Sequence, residues 1–475
     1  MLSESFKKAL IMLMLGLLTA SAFFVRLDNF KNSELRTIDE VVYFRMAEQV
    51  LEEGLSGYQT IPYGEDLASR GQPLPEYFFQ PLFKHPPLFT FLIASSMKLF
   101  GASFTAAGYV PIALSVLMIP LIFFLGVCIY DVRVGILAAI FLSIDPISII
   151  SAQKVWMDST IAFFTLLAAL FFVMGLKRNN DWWFILSGLA SGLAANTKYT
   201  GILITLVIAM YCLLYHRNLF ANKKFQFSLL APFLLLAPWF YWNYRVYGIM
   251  SVLKHKEAQS VITKLIAYMP VMLPIAGILF LLFYALNKRN KRFPSEAKLT
   301  DKGAQQGSVK YLSVLAPAVF FILIVPEQFL HSLQFTFLPT HSWQQGIFFG
   351  EPPSFYFGRM LEFSPLYIFS FMTILLYHSS EKIETPFIRM CAMIILLFFI
   401  FWGNYQSRYI LSSLPFFILL GAQWLENFYY TVSRKDNTFA YYGGRIMMWI
   451  VFAFIISKIC YINGMISYPN DMCYF

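Results

Sequence analysis

PPLFTFLIASSMKLF, Pro86–Phe100, is apolar almost throughout but carries Lys98 near its end. It also falls short of the roughly 20 apolar residues that a bilayer-spanning helix needs. We read it as an interfacial or re-entrant helix. That reading decides the fold, because it fixes which side of the membrane each later loop faces. Were this stretch a span, every later loop would invert, and the basic cluster NKRNKR (Asn287–Arg292) would face outward. The positive-inside rule then would fail.

Outward from this stretch, the chain reads as a series of spans. A first anchor covers about Phe6–Val25, after Lys7 and Lys8. It differs from a signal peptide in having no clean small-residue cleavage site and many spans after it. Further runs lie at about Val110–Tyr130, Val134–Ile150, Thr160–Leu176, Trp182–Ala195, Gly201–Tyr215, Phe227–Tyr244, Leu265–Leu286 and Tyr311–Val325. Four more follow at Pro365–Tyr377, Phe387–Trp402, Ile410–Tyr429 and Ile446–Ile459. The expected fold is an all-α integral membrane bundle of about 13 transmembrane helices, with juxtamembrane helices in the first outer loop. Residues 1–460 form the membrane domain, and 461–475 a short outer tail. The domain includes a first extracytoplasmic loop at 26–109, a basic cytoplasmic linker at 287–310 and a second large outer loop at 326–364.

Composition agrees. Of 475 residues, 58% are hydrophobic and only 13% charged, against about a quarter charged in soluble domains. This excludes an ordinary soluble enzyme, a disordered chain and a coiled coil. The formal charge of +10 would suggest nucleic acid in a soluble protein. Here alternating topology with an inside N-terminus collects the basic excess on the cytoplasmic face, so no nucleic-acid partner is expected. The five cysteines form no CxxC and no Cys/His cluster, so neither a disulfide framework nor a zinc site is indicated.

The same topology puts two acidic motifs on the outer side. Asp39 and Glu40 follow the first span in RTIDEVVYF, and Asp158 opens a later one in QKVWMDSTIAF. Carboxylates at the lip of a span are costly without a partner or a task. Two of them from separate loops suit a general base and an orienting group. Both motifs also resemble helix N-caps, which is the simpler explanation for each. Lys84, His85, Lys198, Arg245, His255 and Arg408 fall near the same level. Such cations would serve a lipid phosphate as donors, or merely snorkel to head groups. Dense Tyr and Trp, as in PWFYWNYRVYG (Pro238–Gly248), fit an interfacial aromatic belt.

Taken in order, several segments carry a resemblance. They are DE (Asp39–Glu40), HPPL (His85–Leu88) running to KLFG (Lys98–Gly101), DP (Asp145–Pro146) and MDS (Met157–Ser159). GLASGLAANTKYTG (Gly188–Gly201), PWFYWNYRVYG and SRYILSSLP (Ser407–Pro415) follow. The chain resembles the lipid-linked-sugar-dependent membrane glycosyltransferases of the GT-C fold, most closely over residues 1–250. Within them it is similar to dolichyl-phosphate-mannose protein mannosyltransferases and bacterial aminoarabinose transferases. The resemblance implies that Asp39 is the catalytic base, with Glu40 its motif neighbour and Asp158 beside the cavity. It implies a donor phosphate near Lys198, with Arg408 in the RY pair of a late outer loop. Lys84, His85 and Arg245 complete the candidate phosphate ligands.

There are departures. Lys84–His85 stands where aminoarabinose transferases tend to have an acidic residue and Lys. The second span begins GYVPIAL, without the usual Arg, and the chain ends soon after its last apolar run, with no separate acceptor-binding domain.

The implied partners are a polyprenyl-phosphate-linked sugar, membrane lipid, and a protein, lipid or glycan acceptor. The implied chemistry is an inverting transfer in which Asp39 takes the acceptor proton. No cofactor is required. A divalent metal is left open, with Asp158 as its candidate holder, although no DxD cluster occurs in the outer loops. The competing class is a polytopic transporter or flippase, whose charges tend to lie at mid-membrane.

Overall fold

The computed structural model describes residues 3–32, 37–55, 85–178, 180–247, 355–375, 384–402, 406–433 and 438–466. Lys84, His255, the basic segment 287–310, the runs Leu265–Leu286 and Tyr311–Val325, and most of 326–364 and 461–475 lie outside the described residues. Within them all regular structure is helical. In chain order the helices are α1 Glu4–Asn32, α2 Ile38–Glu53, α3 Leu88–Phe100, α4 Phe104–Ile129 and α5 Val132–Ile144. Then come α6 Pro146–Ala152, α7 Asp158–Lys177, α8 Trp182–Thr197, α9 Leu203–Tyr215 and α10 Lys223–Tyr247. The last are α11 Phe355–Phe363, α12 Leu366–Leu375, α13 Thr385–Trp402, α14 Leu414–Ser433 and α15 Thr438–Ile466.

Among the described residues, five helices are long and apolar enough to cross a membrane, or six if one bent pair counts as a single span. They are α1, α4, α7, α10 and α15. Pro86–Phe100 becomes α3, a 13-residue helix. At 1.5 Å per residue it measures about 20 Å, too short for a ~30 Å hydrocarbon core. It packs between α2 and α4 as a juxtamembrane element.

The run Val134–Ile150, read from sequence as one span, is two helices bent by 52° at Asp145–Pro146. The cause is local. Proline cannot donate to the preceding turn, and it pushes its predecessor out of the helical region. Asp145 adopts φ −61°, ψ 124° and caps α6 by accepting the Ser148 N–H at 2.9 Å. The break frees the last carbonyls of α5, and the fully buried Arg26 of α1 meets them. Its guanidinium donates to Ser143 O at 3.0 Å and Leu142 O at 3.4 Å. It also donates to Ser115 Oγ at 2.9 Å and Ser148 Oγ at 3.0 Å. Tyr367 of α12 donates to Asp145 Oδ2 at 2.6 Å. Unpaired backbone groups are expensive in an apolar interior, so this network holds the bend in place. The bend in turn aims the 153–157 loop at the end of the bundle where α2 sits.

α7 is the hub of the first half of the bundle, while α12, α13 and α15 pack on α14. α7 lies along α8, α4 and α9, and α8 lies along α10. Small residues permit the closest approach: a Cβ on Gly188 would meet the Ser228 backbone at 2.5 Å. The 20-residue α7 separates its two ends by about 30 Å. Asp158 stands at one end. Lys177 stands at the other, paired to Glu384 at 3.3 Å. Charged side chains therefore gather at the two ends of this helix, while the middle is apolar.

Candidate active site

Four chain segments meet at the Asp158 end of the bundle: the start of α2, the 153–157 loop, the turn after α8, and the turn before α14. The first begins with Thr37, the N-cap of α2, in a reciprocal capping box with Glu40. Glu40 Oε2 accepts the Thr37 N–H at 2.8 Å, and the Glu40 N–H donates to Thr37 Oγ1 at 3.4 Å. The TIDE motif is thus a cap, as its spacing suggests, with Thr37 as the N-cap and Glu40, not Asp39, as its reciprocal partner. Glu40 is driven fully inside. There its Oε1 accepts the Val155 N–H at 3.1 Å, and Lys154 Nζ lies 3.8 Å from Oε2. Its neighbour Asp39 points the other way, with its side chain 46% exposed.

Asp39 meets Arg408 from the 3-10 turn Ser407–Ser412, which leads into α14. Arg408 Nη2 donates to Asp39 Oδ2 at 2.6 Å. Its Nε donates to Gln406 Oε1 at 2.7 Å, and lies 3.8 Å from Asp158 Oδ2. Asp158, 5% exposed, is the first residue of α7. No side chain caps that helix, so Asp158 is held by the guanidinium and favoured by the positive helix N-terminus. The guanidinium itself lies on the Trp156 ring, 4.0 Å from its centroid. Lys198 ends α8 in an extended conformation and places Nζ 4.3 Å from the centre of the Tyr409 ring. The turn Tyr199–Ile202 after it is tight because Gly201 packs on the backbone of Ala194 and Ala195, where a Cβ would collide.

The electrostatics follow from this crowding. Burial alone would raise the Asp39 carboxyl. The Arg408 guanidinium, by charge and hydrogen bond, outweighs burial, with smaller help from His85 and Lys198. Asp39 is therefore held below the usual carboxylate range and ionised at neutral pH. Burial pulls the other way on Arg408, but Asp39 and Asp158 more than compensate and keep it charged. Burial lowers Lys198, and the positive Arg408 adds to this against the two carboxylates.

Lys198 thus sets a test. If its charge is needed, activity falls as pH rises through its lowered pKa, at an alkaline limb below the ordinary lysine value of 10.5. Lys198→Arg keeps the charge, since arginine stays protonated above pH 12, and should extend the plateau upward. An unmoved limb would remove Lys198 from the charged machinery.

Of the residues singled out from sequence, Asp39, Glu40, Asp158, Lys198 and Arg408 come together, with His85 close enough to act on Asp39. Arg245 does not join them. It lies exposed on the last turn of α10 and donates to Tyr241 Oη at 3.2 Å on its own helix. Trp156, Gln406, Lys154 and Thr37 were not singled out. Trp156 sits within the quoted QKVWMDST, but a Trp near a span end reads first as interfacial belt. Among the described residues no group of three or more His, Cys, Asp or Glu side chains is placed so that it could hold a metal ion.

A half-exposed carboxylate, ion-paired to a guanidinium that has further donors, can both take a proton and hold an anion. The molecule has the GT-C fold of membrane glycosyltransferases. ArnT from Cupriavidus metallidurans bound to undecaprenyl phosphate superposes with a TM-score of 0.52 at 14% identity, covering 96% of this chain and 75% of that one. The oligosaccharyltransferase AglB from Archaeoglobus fulgidus, in complex with an inhibitory peptide and a dolichol-phosphate, gives 0.59 at 16% identity. That match covers 97% of this chain but 56% of AglB, so the chain spans little more than half of its length. Residues 84–242 match the sequence model of the family described as dolichyl-phosphate-mannose-protein mannosyltransferase. No curated protein matches significantly by sequence.

Proposed function

We propose that this chain is an inverting glycosyltransferase that moves a sugar from a polyprenyl-phosphate donor to an acceptor hydroxyl on the extracytoplasmic side of the membrane. The observation that carries the reading is the Asp39–Arg408 pair, 2.6 Å apart at the end of an apolar bundle. The bound lipid phosphates and peptide of the two superposed structures support the donor class and a protein acceptor, with a lipid or glycan acceptor as the other choices.

The acceptor hydroxyl approaches Asp39 from solvent. Its oxygen forms the new bond to the anomeric carbon while its proton passes to the Asp39 carboxylate. The bond between the anomeric carbon and the phosphate oxygen breaks, and its electron pair stays on the lipid phosphate. That leaving group needs cations rather than an acid. Arg408, Lys198 and His85 supply them, and Asp158 keeps Arg408 oriented. Glu40 acts by holding α2 to the 153–157 loop. Arg245, on the exposed face of α10, has no part in this description.

A single displacement inverts the anomeric centre. NMR of a product made from a donor of known configuration should show the opposite configuration. Retention would overturn the single-displacement reading.

A further inference from the structure

We propose that Trp156 is a positioning residue for the transfer reaction, and that its indole face sets the plane in which Arg408 meets both the base and the donor phosphate. The inference rests on the reading of Arg408 as the phosphate-holding group.

Trp156 touches three of the four segments that build the site. It belongs to the 153–157 loop. Its Nε1–H donates to Thr37 Oγ1 at 3.0 Å, the N-cap of the helix that carries Asp39. Its ring lies under the Arg408 guanidinium at 4.0 Å. The side chain is 3% exposed, so neither contact is a chance surface encounter. The adjacent backbone is pinned as well, since the Val155 N–H donates to the buried Glu40. The platform thus has little freedom to tilt.

The geometry gives the platform a use beyond packing. A guanidinium is planar and its five N–H donors lie in that plane. A ring centred 4.0 Å from the guanidinium carbon limits how far that plane can tilt, and the bonds to Asp39 and Gln406 limit rotation within it. With the face covered by Trp156, one edge is directed to Asp39 at 2.6 Å and the Nε edge to Gln406 at 2.7 Å. An incoming phosphate can be met only in this same plane. Without the ring, the guanidinium could swing about its long side chain and lose the alignment at both ends at once. Trp is the aromatic best suited to this, since cation–π attraction is strongest over indole.

Three proteins decide the matter: wild type, Trp156→Phe and Trp156→Met. For each, donor KM, kcat, the acid limb of the pH–rate profile and the melting temperature are measured with a polyprenyl-phosphate sugar. The ring quadrupole weakens from Trp to Phe and is absent in Met, so donor KM should rise about threefold in the Phe variant and about tenfold in the Met variant. The acid limb should move to higher pH in the same order, because a looser Arg408 depresses Asp39 less. A purely structural Trp156 would lower the melting temperature and the yield of active protein, with donor KM and acid limb of the folded fraction unchanged. That result overturns the inference, as does an equal effect in both variants. Should the Met variant fail to accumulate, the Phe variant decides alone: unchanged donor KM and acid limb would overturn the proposal. If Arg408→Ala itself leaves donor KM unchanged, the phosphate reading fails instead, and Trp156 falls with it for a separate reason.

Discussion

Asp39→Asn should reduce turnover by about 10²–10⁴-fold, the usual range for losing a positioned general base. The substitution is nearly isosteric and the side chain is 46% exposed, so the fold should survive it. The contacts of Arg408 with Gln406 at 2.7 Å and Asp158 at 3.8 Å do not involve Asp39. Binding of the bare polyprenyl phosphate should therefore persist. It should even tighten, because the carboxylate that now occupies an Arg408 donor would no longer compete with phosphate. Lost turnover with retained or tighter lipid-phosphate binding separates chemistry from collapse of the site. Wild-type turnover in this variant would remove Asp39 as the base.

Arg408→Ala should be about as damaging by a different route. It removes the main cation for the leaving phosphate, and loss of one such preorganised donor typically costs 10²–10³-fold in rate. It also strips the group that holds Asp39 ionised. Burial then raises the Asp39 carboxyl unopposed by its strongest partner. The sign is definite: a base with a raised pKa becomes protonated at higher pH, so the acid limb of any residual activity moves upward. Arg408→Lys should recover part of the rate through its charge, but not all of it. Ammonium lacks the planar fork that serves Asp39, Gln406 and the Trp156 face together. Equal activity in the Lys variant would mean that charge alone matters.

Much of this site can be read along the chain, because its parts sit next to span ends that composition marks plainly. The MDST, TKYTG and SRY segments each fall where an apolar run starts or stops, and DE lies in the loop after the first run. The short length of Pro86–Phe100 and its Lys98 favour an interfacial or re-entrant helix over a span, and it forms the 13-residue helix α3. The Thr37–Glu40 spacing also announces a capping box. What the spacing does not reveal is its consequence, that Glu40 turns inward and Asp39 outward. That depends on Val155 and Lys154, which reach Glu40 only in the folded bundle. The central pair was beyond reach for a similar reason. Asp39 and Arg408 are 369 residues apart, and they are joined by packing of α7 against the turn before α14 and by the bonds from the 153–157 loop to the start of α2. Arg245 stood in an aromatic belt that looked right from sequence, but helical phase puts it on the exposed side of α10. The span Val134–Ile150 held its own warning in Pro146, since a proline that follows a non-helical residue marks a break.

The most direct test of the Asp39–Arg408 account follows both products at once. Protein in vesicles receives a polyprenyl-phosphate sugar labelled separately in lipid and sugar, together with a hydroxyl acceptor. The expected result is free polyprenyl phosphate and glycosylated acceptor in equal amounts, with both lost in Asp39→Asn. Sugar that crosses the vesicle still attached to its lipid, with no acceptor labelled, would contradict the account and make the chain a flippase.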